Sequence, residues 1–217
     1  MFIRINLLMG LLLFMTACSQ LQPVQTVQTS SSVPAVTKPV SPKQVSWNKR
    51  QHLLARKNKW NLNSKVAVTF QDEHWPFGLD WVQQSQQNYV MNMKNPLTGA
   101  LVARLTRDWS GVSLLSNDGK TYRSNNEEQL LKSRSGISLP LKGMKHWVRG
   151  VSSPLYKVDK LVLDNFGRPQ ALYQAGWKIS YSKYSTNTYN ALPGKIFITR
   201  SKDDLRVKMI VKRWQGI

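Results

Sequence analysis

The sequence predicts a mainly β fold with some helix: one antiparallel sheet with a dry and a wet face, met by about three short helices. Two observations predict it. Apolar residues recur at every second position through successive runs, the period of a strand with one buried face. Short turn-forming stretches join most of these runs, which favours antiparallel neighbours over alternating parallel units.

The first element reads as a helix. In SWNKRQHLLARKNKWNL, Ser46 is the candidate N-cap, and Trp47, Leu54 and Trp60 recur at near-helical spacing among basic residues. Strands follow. SKVAVTFQ places Val66, Val68 and Phe70 on one face, GLDWVQQ places Leu79 and Trp81 together, and NYVMNMK does so with Tyr89, Met91 and Met93. The alternation continues through Leu101, Ala103 and Leu105, then Val112 and Leu114. Between Met93 and Leu101, the stretch KNPLTG combines Asn, Pro and Gly, each a turn former for its own reason, around a leucine at 97.

SNNEEQLLKSRSG starts with capping residues and acids and ends in Gly, which predicts a short helix. LPLKGMKHWVRG, with Met144, Trp147 and Val148, predicts another. Strands then resume. KVDKLVLDNFGRPQALYQ reads as a hairpin turning at Asn165 to Gly167. After it Trp177, Ile179 and Tyr181 align, as do Ile196 with Ile198 and Leu205 with Val207, Met209 and Val211. The other face of the last strand carries Arg206, Lys208 and Lys212.

The chain has 217 residues, enough for one sizeable domain, and no internal repeat. Its 31 basic residues against 11 acidic ones give a formal charge of +20, which calls for an anionic partner. The N-terminus narrows the choice. MFIRINLLMGLLLFMTACSQ has a basic start at Arg4 and an apolar run too short to span a bilayer, so residues 1–17 read as a secretory signal peptide. Met15-Thr16-Ala17-Cys18 resembles a bacterial lipobox, which makes Cys18, the single cysteine, the lipidation site. Residues 18–45 are rich in Gln, Thr, Ser, Val and Pro without an aromatic, and read as an acylated flexible tether to a domain over 46–217.

Chemistry is sparse. His52, His74 and His146 lie in separate segments without metal-ligand spacing, and there is neither a phosphate-cradling glycine loop nor a nucleophile elbow. The sequence therefore predicts no enzyme, no metal and no cofactor. Basic residues interleaved with eight tryptophans would suit a nucleic acid, but a lipobox places the protein where that partner is scarce, so none is expected. Anionic outer-membrane lipid fits the charge better.

Several blocks together are similar to the LolB family: the lipobox, KWNLNSKVAV, FGLDWVQQSQQNYVMNMKNPLTG, LPLKGMKHWVRG, FGRPQALYQAGWKISYSKY, LPGKIFIT and VKMIVKRW. Where that family commonly has Pro-Leu-Gly, this chain has Pro96-Leu97-Thr98-Gly99. The resemblance implies an open antiparallel half-barrel with a helical lid over an apolar cavity. It also implies a monomeric, non-catalytic outer-membrane receptor, its domain facing the periplasm, that accepts acylated lipoproteins from the periplasmic carrier LolA and inserts them in the membrane. It assigns Asn95, Pro96 and Leu97 to a membrane-insertion loop. The candidate cavity residues are the dry-face positions Val68, Phe70, Trp81, Tyr89, Met91, Leu101, Leu114, Trp147, Trp177, Ile179 and Ile198. Parity assigns a face and does not separate lining from packed core. A lipid-anchored envelope scaffold or polymer-binding protein with a filled core is the alternative.

Overall fold

A computed structural model describes residues 40–217. The signal peptide, Cys18 and most of the expected tether lie outside the described residues. Within them, a helix α1 (Pro42–Ala55) precedes six strands: β1 (Trp60–Phe70), β2 (Glu73–Gln83), β3 (Tyr89–Lys94), β4 (Leu101–Asp108), β5 (Gly111–Ser116) and β6 (Thr121–Ser124). Two helices follow, α2 (Glu127–Ser135) and α3 (Leu141–Trp147). Five strands complete the chain: β7 (Val158–Leu163), β8 (Pro169–Gln174), β9 (Trp177–Tyr184), β10 (Pro193–Arg200) and β11 (Leu205–Gln215).

All eleven strands form one antiparallel sheet in the order β6-β5-β4-β3-β2-β1-β11-β10-β9-β8-β7, and it does not close. Each half is an up-and-down meander, and the halves meet where β1 pairs with β11 from Asn61–Gln215 to Phe70–Leu205. This order leaves the chain at one edge, β6, and returns it at the other, β7. The crossover carrying α2 and α3 must therefore traverse a face of the sheet. It takes the dry one: Leu130, Ile137, Leu141, Met144, Trp147 and Val148 share a single apolar core with inward residues of strands from β1 to β11. The described residues form one compact unit around that core.

Local sequence explains the helix ends. Asn126 caps α2 by accepting from the amides of Glu128 and Gln129 at 2.9 and 3.1 Å, and Gly136 stops it in the left-handed conformation that lacks a Cβ penalty. Trp147 fixes α3 to β8: its indole N–H donates to Gln174 Oε1 at 2.8 Å, and Gln174 also bonds the backbone of Ser153 and Tyr156. Both side chains are fully buried, and every polar atom between them is satisfied.

The first helix differs from the expectation. Its N-cap is Ser41, with Pro42 in the first helical turn, so Ser46 lies inside it and Trp60 begins β1. The Ser-Pro pair is itself a helix-start signal, hidden here at the end of a proline-rich stretch. Nor does α1 join the lid. It packs against the β7–β8 turn and the segment after α3, burying Trp47, Arg50 and Leu54 outside the central core. Gly167 in that turn is positive in φ, and a Cβ there would collide with Ser46 Cβ and the Lys43 carbonyl, so α1 docks only on glycine.

Arg50 is the clasp. Its guanidinium donates to the carbonyls of Arg149, Gly150, Tyr189 and Ala191, each at 2.7 Å, and is fully buried. Four carbonyl dipoles solvate a buried cation, and in return one side chain joins three segments distant in sequence.

Candidate functional site: an apolar cavity beside an exposed leucine

The inward side chains do not fill the sheet uniformly. α3 and the end of its crossover pack the middle and lower part. There Trp81, Trp147, Trp177, Ile179 and Ile198 are each 2% exposed or less, and ring centroids of Trp60 and Trp81 lie 5.1 Å apart. Tyr89 and Met91 are buried in the same core, and Phe70 packs against it. None of these eight candidates lines the cavity described next; seven are buried core, and Phe70 packs against them.

At the other end of the sheet, where β1 turns into β2 and β3 into β4, an apolar cavity of about 740 Å³ opens beside α2. That volume lies inside the range of about 300–1,000 Å³ typical of ligand sites. β1 contributes Val68, β2 contributes Trp75, Pro76 and Phe77, and β3 and β4 contribute Met93, Val102 and Ala103. Leu114 and Tyr122 come from β5 and β6. Leu131 of α2, with Ile137 and Leu139 of the following segment, makes the roof. Polar groups stand among them, including His74, Ser116, Asp118, Arg134 and Ser135. Of the candidate lining residues, Val68 and Leu114 belong to this wall.

Leu101 does not, and the reason is a bulge. Met93 pairs with Ala103 but Lys94 pairs with Leu101, so Val102 is the extra residue. One inserted residue reverses the alternation, placing Leu101 on the outer face beside Lys94, 38% exposed, and giving Val102 to the cavity.

The roof is held at both ends. Arg107 pairs with Glu127 at 2.9 Å at the start of α2, and Glu127 is almost wholly buried. Near its end the Arg134 guanidinium lies 3.9 Å from the centre of the Tyr122 ring. Burial, and then the neighbouring Glu127, raises the pKa of Glu128 in the first turn.

The 95–99 loop adjoins the cavity. Asn95 Oδ1 accepts from the amides of Leu97 and Thr98 at 2.9 and 3.1 Å, and Gly99 at φ +74° donates to the Asn95 carbonyl at 3.0 Å. These bonds fold the tip without using a side chain of Leu97. Asn95 and Pro96 line the cavity, whereas Leu97 is 93% exposed. Trp109 is equally exposed, in the turn at the far end of β4.

The family profile described as "Outer membrane lipoprotein LolB" matches residues 58–214 of this chain. The chain belongs to the LolB family. A LolB outer-membrane lipoprotein of Nitrosococcus oceani is 33% identical over 177 residues, covering 82% of this chain and 86% of that protein. One from Pseudomonas savastanoi pv. phaseolicola is 29% identical over 216 residues, covering 99% and 97%. Among solved structures, a LolA superfamily protein from Nitrosomonas europaea superposes with a TM-score of 0.51 at 8% identity, over 81% of this chain and 93% of that one, a likeness of fold. LolB membership supports a role in lipoprotein localisation at the outer membrane. No helix among the described residues is long and apolar enough to cross a membrane.

Several lining residues escaped the sequence reading: Trp75, Phe77, Val102, Tyr122, Leu131, Ile137 and Leu139. Trp75 and Phe77 lie ahead of GLDWVQQ, where the sequence pattern predicts the strand to begin, whereas β2 starts at Glu73 and carries Pro76 within it. β2 outruns β3 there, since their pairing ends at Gly78–Lys94, and a sheet edge is where strands tolerate proline. Leu131 stands next to Leu130; one enters the core and the other the cavity.

Proposed function

We propose that this protein is an outer-membrane lipoprotein receptor: it accepts lipoproteins from the carrier LolA, holds their acyl chains in the cavity beside α2, and inserts them in the membrane. The observation that carries the reading is the contiguity of an apolar cavity with an exposed leucine, joined through Asn95 and Pro96. Acyl chains need apolar walls and no directional bonds, and flexible or flat side chains such as Met93, Trp75 and Phe77 suit a guest of variable shape. Handover requires no covalent step or nucleotide. It needs the cavity here to bind the chains more tightly than the carrier does, and about 1.4 kcal/mol shifts the partition tenfold.

Acylation at Cys18 ties the domain to the bilayer, since two or more buried acyl chains anchor stably. Leu97 then serves orientation: burying one leucine in lipid contributes about 1.5–3 kcal/mol, too little to anchor and enough to bias a tethered domain. The test is transfer of a fluorescently labelled lipoprotein from LolA to the chain from residue 18 onward carrying Cys18→Ala. Saturable transfer, competed by a triacylated peptide, is expected. A chain that takes up neither cargo nor an apolar fluorescent probe would refute the receptor reading and leave a scaffold.

A further inference from the structure

The outer face of the sheet carries an organised pattern of charge that the acyl cavity does not use. Across β1, β11 and β10, Lys65, Ile210 and Lys195 stand side by side in register. One step toward the cavity end, Lys208 and Phe197 are neighbours; one step further, Arg206, Thr199 and Lys178 form a row across β11, β10 and β9. Strands lie about 4.8 Å apart and same-face residues recur about every 6.8 Å, so the patch spans roughly 15 by 15 Å.

Two features separate it from an ordinary solvated surface. Among the described residues, no carboxylate lies within ion-pair distance of Lys65, Lys178, Lys195 or Lys208; Asp204 pairs with Arg206 at 2.7 Å. At its centre, Phe197 and Ile210 are 36% and 43% exposed, apolar groups framed by lysines. Beside the patch, the ammonium groups of Lys178 and Lys160 flank the Tyr173 ring at 5.8 and 5.7 Å.

We infer that this face docks on a bilayer of anionic phospholipid. Unneutralised lysines meet the phosphates, while Phe197 and Ile210 enter the headgroup layer and the lysine stems extend over them. A membrane is favoured over an acidic protein because the LolB family is one of outer-membrane lipoproteins, which puts a bilayer within reach of the domain. The inference adds to the receptor reading without needing the cavity, because docking is measured without cargo.

The experiment is co-sedimentation of the Cys18→Ala chain from residue 18 with phosphatidylcholine vesicles, with and without phosphatidylglycerol. Binding is expected only to the anionic vesicles, and is expected to vanish in about 1 M salt, where the screening length is about 3 Å. Each lysine near an anionic surface contributes about fivefold, so Lys65→Gln, Lys195→Gln and Lys208→Gln together lower affinity about a hundredfold. Equal binding to neutral vesicles, insensitivity to salt, or unchanged affinity of the triple variant overturns the inference. So does a triple variant that binds vesicles normally but takes cargo slowly from LolA, which would assign the face to a protein partner. Cargo uptake by the parent chain is read separately, so failure of docking and failure of the receptor reading are distinguishable.

Discussion

Pro96 lines the apolar cavity while Leu97, the next residue, has 93% of its surface in solvent. In the proposed receptor, a guest leaving the cavity at this point would pass directly onto the tip. Leu97→Glu is expected to leave cargo uptake and unfolding midpoint at parent values, because the turn is built from Asn95 and backbone groups. Insertion of bound lipoprotein into liposomes should fall at least tenfold, given about 1.5–3 kcal/mol for the lost leucine and a further penalty for placing a carboxylate in lipid. Parent-like insertion rates would remove Leu97 from the delivery step.

Filling the cavity should separate stability from function. Ala103 stands on its wall between Met93 and Ser116, so Ala103→Phe projects a ring into open apolar space. Thermal stability should hold or rise, while affinity for an apolar fluorescent probe falls about tenfold or more. An unchanged probe affinity would move the guest elsewhere.

Arg50→Met should unfold the domain more readily. It strands four carbonyls, three of them buried, that one guanidinium now serves, at a cost of about 3 kcal/mol or more, read as a lower urea midpoint with unchanged slope. Arg50→Lys should recover little of it, because an ammonium lacks the planar fork that reaches both segments.

His146 predicts a pH dependence. Burial, reinforced by the charges of Arg149 and Lys145, holds it down at about 3, against an ordinary value of 6.5. Between those values the unfolded chain binds a proton that the folded one excludes, so stability falls as pH drops below 6.5. Urea unfolding on either side of pH 6.5 should show this slope, and His146→Gln should flatten it above the range where carboxylates titrate.

The sheet was legible in the sequence because most of its strands keep one dry face: Val66 and Val68, Trp177 and Ile179, Val207 and Met209 all alternate as read. The site was less legible for three separate physical reasons. Parity cannot tell where α3 ends and open space begins, so Trp81 and Val68 look alike in sequence although only Val68 meets the cavity. A single bulge exchanged Leu101 for Val102. The roof residues Ile137 and Leu139 belong to no periodic element at all, and only the crossover from β6 to β7 brings them over the sheet.

The seam between β1 and β11 joins the first strand of the domain to its last, at the middle of the sheet. Val66 and Val68 therefore wait for Met209 and Val207, which follow every other strand of the domain. Neither meander can complete its inner edge alone, so a chain still emerging is barred from native closure. That late seam delays completion of the sheet until β11 is made, and any truncation ahead of Leu205 should leave the β1 edge bare and prone to aggregate.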